Sequence, residues 1–411
     1  MAERRAVGFG RRSEPRRDAP VAGVEGATML DDHQAAELLP QRPARGHKGT
    51  FGKVLVHAGS LDYAGAALLV CRAAGRAGAG LVTLAVPESL QPLFAAKVVE
   101  ATTMALPEDD VEEIDPEPAL ARILDHDHDA IVIGPGLRPG LATTELVRSL
   151  TAVPDDPEPV PAVLDAEALR CLATVDGWWE SVTRRCVLTP HPGEFARLRT
   201  GSGRDAGADG DLSDDDAARI RAASAAATEW RQVVVLKGAK TVIASPDGSV
   251  AVAPFENPAL ATGGTGDVLS GTIGSLLAQG LEPFAAARLG VYLHGVAGDI
   301  IRERVGDSGL LASDLPDAIA LARKRIAGLK ERERRNPLGF GRDGETRASE
   351  AATTPREPDV GEPVSPGPRT PEPLSPDPLV ADPLGPDPLV PDPSLSEPAP
   401  SPAPEDGASE A

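Results

Sequence analysis

Asn257-Pro-Ala-Leu-Ala-Thr-Gly-Gly-Thr-Gly-Asp267 runs directly into Val268-Leu-Ser-Gly-Thr-Ile-Gly-Ser-Leu-Leu-Ala278. The first half is small and glycine-rich. The second carries Val268, Leu269, Ile273, Leu276 and Leu277 at the spacing of a buried helix face. A glycine turn feeding a helix start leaves backbone N–H groups without intrahelical partners, all aimed at one point. Together with the positive end of the helix dipole they suit an anion such as phosphate. Gly263, Gly264, Thr265 and Gly266 are therefore read as an anion hole, because residues without a Cβ let the backbone close around phosphate oxygens. Asp267 falls in the first helical turn, where a carboxylate has two readings. One is a plain helix-dipole residue. The other is a general base that takes a proton from a substrate hydroxyl while the turn holds the transferred phosphoryl group. The richness of the surrounding motif favours the second.

Upstream, short apolar runs alternate with helical patterns. Strands are expected at Val54–Ala58, Gly80–Val86, Ala130–Ile133, Val160–Leu164, Cys186–Thr189 and Gln232–Leu236. Helices are expected at Thr28–Leu39, from Ala66 to Gly75, at Leu141–Leu150, Phe195–Thr200, Asp214–Trp230 and Ala285–Ile301, with a mixed-charge last helix over Arg323–Arg335. Repetition of strand, loop and helix implies an α/β fold with a mostly parallel sheet covered by helices. Most strands deliver a polar residue or a glycine at their carboxyl end, where open α/β sheets place a binding crevice. These endings are Gly59-Ser60, Gly134-Pro-Gly136, Asp165, His191-Pro-Gly-Glu194 and Lys237-Gly-Ala-Lys-Thr241. Asp165 is a candidate for a hydroxyl or a hydrated metal, and His191 and Glu194 flank what reads as a Pro-Gly turn. Taken singly, each ending is as well explained by turn geometry. Taken together, they describe one nucleotide-and-substrate cleft. Asp125-His-Asp-His-Asp129 reads as a loop rather than a metal site, since consecutive residues do not converge on one ion. Trp178, Trp179 and Trp230 are expected to cap the core, and His294 and Asp299 to be packed or surface residues rather than catalysts.

Composition places this fold inside a longer chain. The 411 residues carry a net charge of −21, but the 61 residues from Ala351 hold 18 prolines, 12 acidic and 2 basic residues. With Asp-Pro-Leu repeating at Asp377, Asp382 and Asp387, that stretch reads as an extended low-complexity tail. Residues 1–28, with Arg4, Arg5, Arg11, Arg12, Arg16 and Arg17, read as a disordered basic leader without a signal-peptide core. The expected organisation is thus leader 1–28, catalytic domain 29–330 and acidic tail 331–411, with Gly201–Asp216 a polar surface loop. The acidic balance of the folded part argues against nucleic-acid binding. No apolar run has the length of a membrane span. Three scattered cysteines, Cys71, Cys171 and Cys186, fit buried thiols in a cytoplasmic protein.

The loop set resembles the ADP/ATP-dependent (6S)-NAD(P)H-hydrate dehydratase family of the ribokinase-like superfamily. The matching pieces are His47-Lys-Gly-Thr-Phe-Gly52, Gly59-Ser60 with Tyr63-Ala-Gly-Ala66, Gly134-Pro-Gly-Leu137, Leu164-Asp-Ala-Glu-Ala168, Leu188-Thr-Pro-His-Pro-Gly-Glu194, Leu236-Lys-Gly238 and Ala261-Thr-Gly-Gly-Thr-Gly-Asp267. The resemblance implies a three-layer α/β/α sandwich. It also implies that Ala66, Gly136, His191 and Asp267 contact the hydrated nicotinamide nucleotide, and that Lys237, Gly238, Ala239, Lys240, Thr241 and Gly266 hold the adenine nucleotide. Asp267 becomes the base, Glu194 reaches Mg²⁺ through water, and ADP, ahead of ATP, is the phosphoryl donor. Many bacterial members carry a fused epimerase domain. About 28 residues precede the core here, too few for one, so a separate epimerase is expected as functional partner, and a homotetramer as the assembly. The rival readings are a superfamily kinase for a vitamin precursor or sugar hydroxyl, which would leave phosphate on its acceptor, and a silent nucleotide-binding module.

Overall fold

The computed structural model describes residues 26–111, 113–153, 158–201 and 215–335, with side chains to 329. The leader to residue 25, nearly all of the Gly201–Asp216 loop and the tail beyond 335 lie outside the described residues. The described strands are β1 (Ala27–Met29), β2 (Lys53–His57), β3 (Leu81–Pro87), β4 (Thr102–Leu106), β5 (Glu108–Asp110), β6 (Glu113–Ile114), β7 (Ala130–Ile133), β8 (Ala162–Leu164), β9 (Cys186–Leu188), β10 (Val233–Leu236), β11 (Val242–Ala244) and β12 (Val250–Val252). The helices are α1 (Asp32–Leu38), α2 (Ala64–Arg76), α3 (Gln91–Ala95), α4 (Pro116–Leu124), α5 (Leu141–Thr151), α6 (Glu167–Leu172), α7 (Pro192–Thr200), α8 (Asp216–Trp230), α9 (Thr265–Ala278), α10 (Pro283–Val305) and α11 (Leu315–Arg335).

Ten of these strands form one sheet in the order β1-β12-β11-β10-β9-β8-β7-β2-β3-β4, and β5 and β6 form a separate hairpin. All neighbours in the large sheet are parallel except β11, which runs antiparallel to both β10 and β12. The central strands β7, β8, β9 and β10 are buried along their whole length. Continuous apolar runs rather than alternation follow from a parallel sheet covered on both faces. One face packs against α1, α2, α9, α10 and α11, and the other against α4 to α8. The result is the three-layer α/β/α sandwich of the ribokinase-like type. Among the described residues no helix is long and apolar enough to cross a membrane.

Six expected strands stand within two residues of their expected ends. Four details differ. Thr28 is not helical: Ala27–Met29 pairs in parallel with Val250–Val252, and the helix starts only after Asp31, whose side chain accepts the Gln34 N–H at 2.8 Å. The leader therefore gives way to the sheet before residue 29. Pro192-Gly193 is not an isolated turn but the opening of α7, with His191 as its N-cap. Trp178 and Trp230 do not cap the core; both are buried within it, with the Trp230 ring 5.2 Å from that of Trp178 and 5.6 Å from that of Phe195, tilted in each case. Last, β1, β4, β11 and β12 are additional strands; β1 is completed by distant pairing with β12, whereas β11 pairs with its chain neighbours β10 and β12 and β4 pairs with β3.

α9 is the central element of its layer. From Val268 to Ala278 every residue is buried, so the helix is enclosed on all sides rather than amphipathic. Its glycines permit this: a Cβ on Gly271 would stand 2.3 Å from the Val70 carbonyl oxygen of α2, and one on Gly274 would stand 2.3 Å from Val132 Cγ2 of β7. Close approach on both sides seats the start of α9 at the carboxyl edge of the sheet.

Candidate active site

The chain leaves β2 for β3 on one side and returns to β7 on the other, so the connections after β2 and β7 diverge and open a crevice. Two backbone bonds tie those connections together, Gly59 N–H to Pro135 O at 2.8 Å and Gly134 N–H to His57 O at 3.1 Å. Gly136 has φ +66°, and a Cβ there would lie 2.8 Å from the Ala66 Cβ at the start of α2. Ala66 and Gly136, far apart in sequence, thus share one wall of the crevice. Gly134, at φ +119°, passes so close to the Asp165 carbonyl that no side chain fits.

Across the crevice stands the glycine turn. Gly264 is the N-cap of α9 at φ +91°, where a Cβ would meet Leu69 of α2 at 2.8 Å and Ala312 at 3.0 Å. The following residue is held from three directions. Thr265 Oγ1 donates to the carbonyls of Leu260 and Thr262, and the Thr265 carbonyl lies 2.9 Å from Nε2 of His294 in α10. Burial above all pushes His294 down to about 4, so its neutral ring donates that bond. The Thr265 N–H is also engaged, by the Thr262 carbonyl at 3.3 Å. Of the four anion-hole residues, Thr265 is therefore a brace. Gly266, with Asp267 behind it, carries first-turn amides that have no carbonyl four residues back to bond. Gly263 is exposed at the mouth of the turn.

A buried charge network lies below this turn. Asp165, at the end of β8, is 1% exposed, and both its oxygens are taken. Lys237 Nζ donates to Oδ1 at 2.8 Å and Ser270 Oγ to Oδ2 at 2.6 Å. Asp165 is thus a structural anchor and has no free oxygen for the hydroxyl or hydrated metal considered from sequence. Lys237 also lies 3.7 Å from Glu194 Oε2. Burial works against its charge, but the carboxylates of Asp165 and Glu194, with Asp267 beyond, hold the ammonium protonated above the usual lysine range. A Cβ on Gly266 would stand 3.4 Å from that ammonium, which places the lysine directly beside the anion hole. Burial first, and then the Asp165 carboxylate, push Asp267 up to about 7 against the pull of Lys237. A carboxylate with that proton affinity, half-buried beside a phosphate-sized turn, is suited to general-base chemistry near neutrality.

Glu194 has another partner. Its Oε2 accepts the His191 N–H at 2.9 Å, while the Gly193 N–H donates to His191 Nδ1 at 3.1 Å, a reciprocal capping box at the start of α7. This fixes the exposed His191 ring at the rim of the crevice. Among the described residues no three His, Cys, Asp or Glu side chains converge as a metal site. A Mg²⁺ ion here would therefore have to draw most of its ligands from elsewhere, from nucleotide phosphates or water. Mg²⁺ binds in that way where substrate oxygens supply most of its shell.

Beside the turn opens a cavity of about 510 Å³ lined by Lys237, Gly238, Ala239, Thr241, Leu260 and Gly266, among others. Its walls are mainly apolar with a few polar groups, Lys237 and Thr241 among them, as small-ligand sites commonly are. Five of the six residues expected to hold the adenine nucleotide line it. The sixth, Lys240, has φ +50° and turns its ammonium outward to Asp216 and Glu256 at 3.0 and 2.8 Å. Sequence reading overlooked Arg219, buried behind this loop; His294, expected to be a packed or surface residue, is packed against the Thr265 carbonyl. Arg219 stands in no glycine-rich motif, and a lone charged residue inside a helical pattern carries no signal of burial.

An open α/β sheet whose glycine turn starts a buried helix, with a carboxylate in its first turn and a cavity beside it, is the arrangement of the ribokinase-like class. A ribokinase-like superfamily protein from Enterococcus faecalis superposes with a TM-score of 0.60 at 25% identity, covering 75% of this chain and 99% of its own. Within that class a profile of the NAD(P)H-hydrate dehydratase family matches residues 54–321, and the chain belongs to that family. The ADP-dependent (S)-NAD(P)H-hydrate dehydratase of Neisseria meningitidis is 37% identical over 75% of this chain and 98% of its own length. A Bacillus subtilis ADP/ATP-dependent NAD(P)H-hydrate dehydratase co-crystallised with ATP and Mg²⁺ superposes with a TM-score of 0.59 at 33% identity, covering 72% of this chain and 97% of that one. The bifunctional NAD(P)H-hydrate repair enzyme of Moorella thermoacetica is 43% identical over 74% of this chain. The chain spans about half the length of the bifunctional relatives it matches, 55% in that case.

Proposed function

We propose that this protein dehydrates the S-epimer of hydrated NADH or NADPH, using ADP as phosphoryl donor and releasing AMP and phosphate. The observation that carries the reading is the placement of Asp267. It stands at the first turn of α9, next to Gly266 of the cavity lining and within reach of the Lys237 charge. The nicotinamide end of the substrate lies along Ala66, Gly136 and His191, with its ring hydroxyl toward Asp267. The adenine nucleotide occupies the cavity with its phosphates at Lys237, Gly266 and the turn of Gly263 and Gly264; Gly238, Ala239 and Thr241 line the wall, and Lys240 steadies the loop from outside.

Asp267 accepts the hydroxyl proton as the oxygen attacks the terminal phosphorus, and the bond from that phosphorus to the AMP oxygen breaks. In such a transfer the protein contributes mainly position and charge neutralisation, here from Lys237 and the first-turn amides. A Mg²⁺ bound with the nucleotide would add charge neutralisation at the phosphates, held by Glu194 through water. The ring nitrogen lone pair then expels phosphate from carbon, and loss of a ring proton restores the reduced nicotinamide.

A separate epimerase supplying the S-epimer, a homotetrameric assembly and a cytoplasmic location complete the proposal; they rest on family resemblance. The test is absorbance in the reduced-nicotinamide band after mixing the protein, Mg²⁺ and hydrated NADH with ADP or with ATP. Recovery with ADP is expected, and phosphate should be released as it recovers. A phosphorylated acceptor that accumulates would instead identify a kinase.

A further inference from the structure

Arg219, in the second turn of α8, is 2% exposed and lies behind the loop Lys237–Thr241. The carboxylate it pairs with, Asp216, is half-exposed, and the contact is long, 3.8 Å from Oδ1 to Nη1. Its donors go to main-chain carbonyls, Nη1 to Ala239 O and Nη2 to Leu236 O and Lys237 O at 3.2 and 3.3 Å. Gly238 arches over the guanidinium at φ +150°, and a Cβ there would stand 2.6 Å from Nη2. A buried arginine whose ion pair is this long keeps a desolvation cost that its main-chain hydrogen bonds must offset. Those bonds draw the carbonyls of Leu236, Lys237 and Ala239, from the end of β10 and the loop after it, to one side. Because a trans peptide sets N–H opposite C=O, turning the Lys237 carbonyl toward Arg219 aims the Gly238 N–H away from it. The residues of this loop line the 510 Å³ cavity, and Arg219 does not. A second tie comes from the same helix: Asp216 accepts from Lys240 Nζ at 3.0 Å, pinning the far end of the loop at its left-handed residue.

We propose that the start of α8 is a positioning clamp for the nucleotide loop, with Arg219 as its principal residue. Arg219 does not touch the nucleotide. It pre-forms the backbone surface that does, so that binding does not have to supply the cost of ordering the loop. The inference rests on the nucleotide reading of that cavity. It gives α8, outside every glycine-rich motif, a part in setting nucleotide affinity.

The experiment uses the full chain and ADP as probe: calorimetric binding of ADP, and steady-state kinetics with hydrated NADH, for wild type and Arg219→Lys. Lysine keeps the charge but cannot span three carbonyls. The Kd and the KM for ADP should rise by about tenfold or more, with kcat at saturating ADP and the KM for the hydrate within about twofold of wild type. General destabilisation would lower kcat through the active fraction and leave both KM values in place. An Arg219→Lys protein that binds ADP as wild type does overturns the clamp while leaving the nucleotide reading intact. Wild-type protein that binds no ADP overturns the nucleotide reading and the clamp with it. Should Arg219→Lys not fold, Asp216→Asn decides, since it cuts the outer tie at a half-exposed position: a raised KM for ADP supports the clamp, and a wild-type KM overturns it.

Discussion

Asp267 shows how environment raises the proton affinity of an ordinary carboxylate. Its position in a helix first turn would by itself favour the charged form. Burial and the fixed negative charge of Asp165 outweigh that, and the carboxyl is pushed up to about 7. Asp267→Asn keeps the shape but cannot accept a proton, so turnover should fall by about 10²–10⁴-fold while ADP still binds; steady-state kinetics with calorimetry checks both. For wild type, kcat/KM should rise with pH through about 7 as the base ionises. The same shift has a consequence for stability. The folded state binds the Asp267 proton more tightly than the unfolded chain does, so its favourable contribution is complete below about pH 4 and is lost as pH rises through the folded value. Asp267→Asn should therefore be more stable than wild type at pH 8 and equally stable near pH 4, as denaturant midpoints at the two pH values would show. An activity that costs stability is common where a charge is held out of water.

At the scale of elements, α9 is held by closeness rather than by bulk. Gly271 faces the Val70 carbonyl at a distance no Cβ tolerates, and that obstacle is backbone, which cannot rotate aside. Gly271→Ala should destabilise the protein by about 1–3 kcal/mol in equilibrium denaturation, although alanine is the better helix former. It should also lower turnover by displacing the first turn that carries Asp267. This helix and the six strands β2, β3, β7, β8, β9 and β10 were legible in sequence, because continuous apolar runs bounded by glycine, proline and aspartate are local signals. β1 and β12 were not. Ala27–Met29 and Val250–Val252 are three residues each and become strands by pairing across more than two hundred residues. The tryptophans were placed on the outside of the core for a related reason: Trp178 and Trp230 meet only after α8 has packed on the sheet.

For the molecule as a whole, the described fold closes between residues 26 and 335, and every site residue discussed lies within it. The remainder to residue 411 differs in composition, with the acidic proline-rich stretch from Ala351. We propose that the catalytic unit spans about residues 29–330, with β1 beginning slightly earlier. A chain ending at Arg335 should retain turnover within about twofold of the full chain. A larger loss in the same assay would assign the tail a part in catalysis or assembly. The family, the glycine turn and most of the cavity-lining loop were readable along the chain, because each is a contiguous motif whose character depends on neighbouring residues. The contact of Ala66 with Gly136, the anchoring of Asp165 by Lys237 and Ser270, the brace from His294 and the Arg219 clamp were not. They join residues from separate elements, and a charged or polar side chain reveals whether it is buried, and against what, only once the sheet and its two helical layers have closed around it.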